Sequence, residues 1–126
     1  MGDLAKSLAK AASLTRGPRE GPHVEALRAI RDDVASMFVP AREAFVTAET
    51  TGARGVMDAH GATKKVVVEY TRRLAIADDL TVDMAVTLAI AARMIGRISA
   101  HLSNVVSTIA LPFDEIRRSP TWGEDD

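Results

Sequence analysis

Between Met84 and Ile109 the apolar residues Met84, Leu88, Ala91, Ile95, Ile98, Leu102, Val105 and Ile109 alternate steps of four and three without a miss for almost four heptads. Only a long helix puts all of these on one side, and only a neighbour packed lengthwise against that side keeps them from water. Thr81 is placed to cap its start, Asp83 sits favourably against the helix dipole, and Pro112 stops it. Whatever else this chain forms must supply that neighbour.

Two further stretches do. From His23 onward, Leu27, Ile30, Val34, Met37, Ala41, Ala44 or Phe45, and Ala48 also step by three and four. Pro40 falls inside this run, removing one backbone donor and crowding the preceding turn at a cost of ~3 kcal/mol unless the helix bends, so a kink is expected near Ser36 to Pro40. Thr50, Thr51 and Gly52 read as the turn that follows. Residues 53–76 give a second seam of Ala53, Val56, His60, Thr63, Val67, Tyr70 and Leu74, weakened in its middle by Gly61 at about 1 kcal/mol relative to alanine. Asp78 to Leu80 form the next short turn. No sustained period-two alternation competes, and the β-prone VVVEY at residues 66–70 lies inside the longer helical pattern.

Short turns force consecutive helices to lie antiparallel, so the expectation is an all-α fold, an antiparallel three-helix bundle over residues 23–111. Before it, residues 1–22 hold a short amphipathic helix over 3–14, with Leu4, Leu8, Ala11 and Ala12 on one side, and the Gly- and Pro-rich linker TRGPREGP. After it, residues 112–126 read as a tail ending in acidic residues.

Composition narrows function. Sixteen basic against seventeen acidic side chains leave a net charge of −1, which lacks the basic excess that nucleic-acid or anionic-membrane binding draws on. The absence of cysteine removes disulfides, thiolate metal sites and a cysteine nucleophile, and suits a cytoplasmic setting. Lys6 and Lys10 interrupt the N-terminal apolar residues, unlike a secretory signal, and the longest apolar run, Met84 to Ala92, is about half of what a bilayer demands. Asp32 and Asp33 are adjacent and diverge from their helix. Ser99, Ser103 and Ser107 repeat every four residues away from His101, which suits close helix approach better than a catalytic triad. GARG at residues 52–55 lacks the lysine and the strand of a phosphate-binding loop. No enzyme is expected.

Arg93, Arg97, His101 and Asn104 stand four, four and three residues apart, so they project from one side of the third helix. The plain reading has arginine stems covering the bundle's flank while His101 and Asn104 bond between helices. At these residues the chain resembles the PhoU family of bacterial phosphate-signalling regulators. The family helix reads approximately A-R-x-x-E-R-I-G-D-H-x-x-N-I-A-E, and here Ala92, Arg93, Gly96, Arg97, Ile98, Ser99, Ala100, His101, Asn104, Val105, Val106 and Ser107 stand in register, matching at A-R, R-I, H and N. The family's A-x-x-V-x-x-x-D-x-x-x-D resembles Ala53, Val56, His60 and Lys64, and Met37, Ala41 and Ala44 fit its first helix. The likeness covers about residues 24–110, one three-helix repeat where the family has two in tandem.

The resemblance implies a protein that restrains phosphate-starvation signalling by contact with a sensor histidine kinase or with the ATPase of the phosphate ABC transporter. It also implies a homodimer, since a second copy restores the six-helix arrangement; Met84, Thr87, Ile90 and Met94 widen the apolar surface of the third helix, open either to that copy or to the N-terminal segment. The family's metal clusters rest on carboxylates, whereas this chain has Gly96, Ala100, His60 and Lys64 at those positions. No metal and no cofactor is therefore expected, His60 with His101 being at most a weak site. The charge reversal instead marks His60, Lys64, Arg93, Arg97, His101 and Asn104 as a polar surface for an anion or a partner. A structural oligomerisation module or accessory subunit unrelated to phosphate is the alternative.

Overall fold

A computed structural model describes residues 20–111 together with Gly2, Asp3, Lys6 and Lys10. Apart from those last residues, the short helix expected over 3–14 lies outside the described part, as does the tail 112–126. Four helices make up the body: α1 (Pro22–Ala35), α2 (Phe38–Thr47), α3 (Thr50–Ile76) and α4 (Val82–Ala110). No strand occurs among the described residues. Since α1 and α2 are two parts of one interrupted rod, the architecture is the expected all-α three-rod bundle.

The interruption falls where Pro40 demands it. Pro40 has no N–H to give the preceding turn, and the chain responds at Ser36 and Met37, which keep right-handed dihedrals while Met37 N–H bonds to the Val34 carbonyl, three residues back, at 3.0 Å. The result is a tightened step between α1 and α2 that still buries Met37, Ala41 and Ala44 in line with Ile30 and Val34. At the start of α1, Gly21 takes φ 109°, a conformation side chains resist, and Pro22 opens the helix with its preset φ.

The following turn differs from expectation. Thr50, Thr51 and Gly52 are the first turn of α3. The reversal is made by Ala48, in the left-handed region at φ 54° and ψ 37°, and by extended Glu49. Both of their N–H groups turn back to the Ala44 carbonyl, a C-terminal closure that glycine usually supplies. α2 crosses close to Gly52, where a Cβ would meet Ala44 Cβ at 3.5 Å, an ordinary van der Waals contact, so the crossing does not itself require glycine.

The seam of α3 is as expected: Ala53, Val56, His60, Thr63, Tyr70 and Leu74 are buried and Val67 packs against the core. That of α4 is turned by roughly 70° from the apolar stripe, as judged from 100° of rotation per residue. Leu88, Ile95 and Leu102 are buried as expected, but Ala92, Ser99, Ser103, Val106, Ser107 and Ala110 join them while Val105 is half exposed. Small side chains let α3 and α4 approach closely along most of their length, and this pair forms the main contact of the bundle.

Both ends are tied by polar groups. Thr81 caps α4, accepting the Met84 N–H at 3.4 Å. At the same end, the Tyr70 hydroxyl donates to the His23 carbonyl at 2.7 Å, and His23 Nε2 reaches both Asp79 carboxylate oxygens at 2.9 and 3.1 Å. That hydrogen bond holds the Asp79 carboxyl below its ordinary value, while burial pushes the Tyr70 phenol up to about 12. At the opposite end, Arg54 Nη2 donates to the Ala110 carbonyl at 3.2 Å, placing a cation at the negative end of α4.

Candidate functional site

The six polar residues singled out in the sequence do not make one surface. His60 faces inward from α3 and has no exposed surface. Its Nδ1 lies 2.8 Å from Ser99 Oγ, and the Ser99 hydroxyl donates to the Gly96 carbonyl at 2.6 Å. The serine's single proton is thereby committed, so Ser99 Oγ accepts and His60 Nδ1 carries the hydrogen. The inter-helix bond expected of His101 and Asn104 is thus made by His60 and Ser99. Serine at position 99 supplies what the histidine needs: a small acceptor on a helix close enough to reach.

His101 is exposed and stands about 160° around α4 from Ser99, two residues on at 100° each, so it points away from His60. The two histidines cannot share an ion, and among the described residues no group of three or more His, Asp or Glu could hold a metal. Lys64, one turn beyond His60, is half-buried at the flank of α3. Arg93 is exposed and Arg97 half-buried, and with His101 they form a ridge on α4 opposite its buried face. Asn104 continues that ridge, but its side-chain carbonyl oxygen is buried without a hydrogen-bond partner. Inside, Ser103 Oγ and Thr87 Oγ1 are also buried without partners, so the interior around α4 is polar yet only partly bonded.

An apolar surface escaped the sequence reading. On the outer side of α2, Phe38 is 45% exposed, Val39 60%, Phe45 57% and Val46 74%. Phe38 and Phe45 are seven residues apart, as are Val39 and Val46, so the four form two adjoining rows on one side of the helix. The signal was present: in FVPAREAFVT every large apolar residue lies off the Met37, Ala41, Ala44 seam. By contrast, the surface beside the α4 seam offers little, since Thr87 is buried and Met84, Ile90 and Met94 are half-buried.

The described body is thus a helical bundle with an apolar outer helix and a basic ridge, and among its described residues no helix is long and apolar enough to cross a membrane. No protein-family model, curated protein or solved structure matches the chain.

Proposed function

We propose that this chain is a noncatalytic interaction module, a single PhoU-like repeat that pairs with a second copy and regulates a target by contact. The observation that carries the reading is the row of Phe38, Val39, Phe45 and Val46 on α2. Exposed phenylalanines grouped on one short helix are the kind of anchor around which protein interfaces form, whereas the other exposed large apolar residues, Ile76, Val82 and Val86 among them, include no aromatic side chain. Pairing through α2 leaves the ridge of Arg93, Arg97 and His101 turned outward for the target, where cations suit carboxylates on a partner. The resemblance at R-I-x-x-H-x-x-N on that same helix supports assigning the target to phosphate transport or phosphate-starvation signalling, with a sensor histidine kinase or the transporter ATPase as the contact.

Affinity capture from the native lysate tests the target, using wild type beside an Arg93→Glu, Arg97→Glu variant. The reading expects kinase or transporter ATPase recovered with wild type and lost with the variant. Recovery of the module alone, or with only its own second copy, would favour the alternative, a structural oligomerisation module, which the α2 face serves equally well.

A further inference from the structure

The net charge of −1 hides a separation of charge. From Ala59 to Ile76, α3 carries Lys64, Lys65, Arg72 and Arg73 against Glu69 alone, and beyond Asp83 α4 carries Arg93 and Arg97 with no carboxylate. Glu69 is engaged, accepting from Arg73 Nε at 3.4 Å. Two contacts place these cations on one face. His60 bonds Ser99, and Val67 packs where a Cβ on Gly96 would stand 3.5 Å from its Cγ2. Between those contacts the antiparallel helices bring Lys64 level with Arg97, and Val68 level with Arg93. At 100° per residue, Lys64, Val68 and Arg72 lie about 40°, 80° and 120° around α3 from His60, turned away from Ala59 and Val66, which line a hollow with α1. Arg93 and Arg97 lie about 60° and 100° around α4 from Gly96, turned away from buried Leu88, Ile95 and Leu102. The α3–α4 pair thus gives one side to the core and sets its cations on the other.

That face is not uniformly polar. A hollow of about 340 Å3 opens on it, lined by Lys64, Lys65, Val68, Glu69 and Arg72. Val68, 52% exposed, is the shortest of these side chains, so it makes the floor and the cations make the rim. Along α3 the order is cation, aliphatic, cation, each a turn from the last. We infer that this face holds an acidic helical segment of the target, which sets carboxylate, aliphatic and carboxylate side chains a turn apart against Lys64, Val68 and Arg72, with further carboxylates along Arg93 and Arg97. The inference rests on the reading of the α4 ridge as the target surface and names what the target brings. The valine discriminates among anions. A nucleic-acid backbone or a layer of lipid headgroups stops at the ends of the lysine and arginine chains and offers nothing apolar at the depth of Val68. A helix offers both kinds of group on one side, and the apolar stems of the rim enclose the aliphatic side chain that enters.

Two stapled helical peptides of identical composition test this on the full chain by fluorescence anisotropy. In the first, glutamate, leucine and glutamate stand a turn apart on one side; in the second the leucine is moved to the opposite side. The first should bind about tenfold more tightly, the worth of burying part of an aliphatic side chain, and should shift the amide signals of Lys64, Val68, Arg72, Arg93 and Arg97. Val68→Ser, at an exposed position, should erase that preference, and Lys64→Glu with Arg72→Glu should abolish binding of both peptides. Equal binding of the two peptides by wild type, binding of neither, or shifts confined to α4 overturns the inference. So does sedimentation with phosphatidylserine vesicles, lost in Lys64→Glu with Arg72→Glu, by a protein that does not distinguish the peptides, since the face then belongs to a membrane. Failure of the target reading looks different. Capture of the kinase or ATPase that survives Lys64→Glu with Arg72→Glu but not Arg93→Glu with Arg97→Glu keeps that reading and removes this inference. Peptide preference without capture removes the reading and leaves the acidic-helix site standing.

Discussion

Ser99 and Ser103 lie one turn apart on the buried face of α4, yet removing their hydroxyls has opposite consequences. Ser99→Ala strands the His60 Nδ1 hydrogen in the interior, and an orphaned buried donor costs about 1–3 kcal/mol. Ser103 Oγ has no partner to lose, so Ser103→Ala removes a buried unsatisfied group and leaves stability equal or higher. Urea unfolding of the two variants checks this, and equal losses would contradict it. Tyr70, the chain's single tyrosine, gives a second handle. A phenol raised from 10.0 to about 12 adds stability that is full below pH 10 and disappears as pH climbs through the raised value. Ultraviolet titration of the native protein should place phenolate formation near 12, falling to about 10 in denaturant. Tyr70→Phe should remove that alkaline sensitivity. His60 and Tyr70 were both legible in sequence as seam positions. Their hydrogen-bond partners were not, because Ser99 and the His23 carbonyl come into reach only through tertiary packing.

For the elements, the α2–α3 turn is the place where local conformation is held against preference. Ala48 occupies the left-handed region, which costs a residue with a Cβ about 1–2 kcal/mol, and it is exposed, so no packing is at stake. Ala48→Gly should therefore raise stability by about 1 kcal/mol in equilibrium unfolding, and a decrease would show that the turn is not strained. That turn could not be read beforehand because the Thr-Thr-Gly triplet carries the stronger turn composition, whereas Ala48 carries none. The kink before Pro40 and the Thr81 cap were readable because each follows from one side chain's own chemistry. The facing of α4 differs for a related reason: the spacing of Ser99, Ser103 and Ser107 already suits the close approach they make, but the apolar count puts the seam on the side of Val105, which is half exposed. An apolar count finds that a helix packs. It does not find which side a close neighbour prefers.

At the scale of the whole molecule, three rods, their antiparallel order and the absence of strands among the described residues were all legible, since period and turn length dictate them. The division of the polar set was legible in part: His60 stands on the α3 seam in the sequence itself, and grouping it with Lys64, Arg93, Arg97, His101 and Asn104 as one surface overlooks that facing. What remains is a bundle whose chemistry lies in its surfaces: an apolar row on α2 and a cationic ridge on α4. A ten-residue helix offers an interface at the small end of the specific range, so the pairing proposed here is concentration-dependent. Sedimentation velocity over a concentration series tests it most directly, comparing wild type with Phe38→Ser, Phe45→Ser, two exposed positions whose change leaves the core intact. The account predicts wild type moving toward twice the chain mass as concentration rises and the variant remaining monomeric throughout. A wild type that stays monomeric, or a variant that pairs as well as wild type, would contradict it.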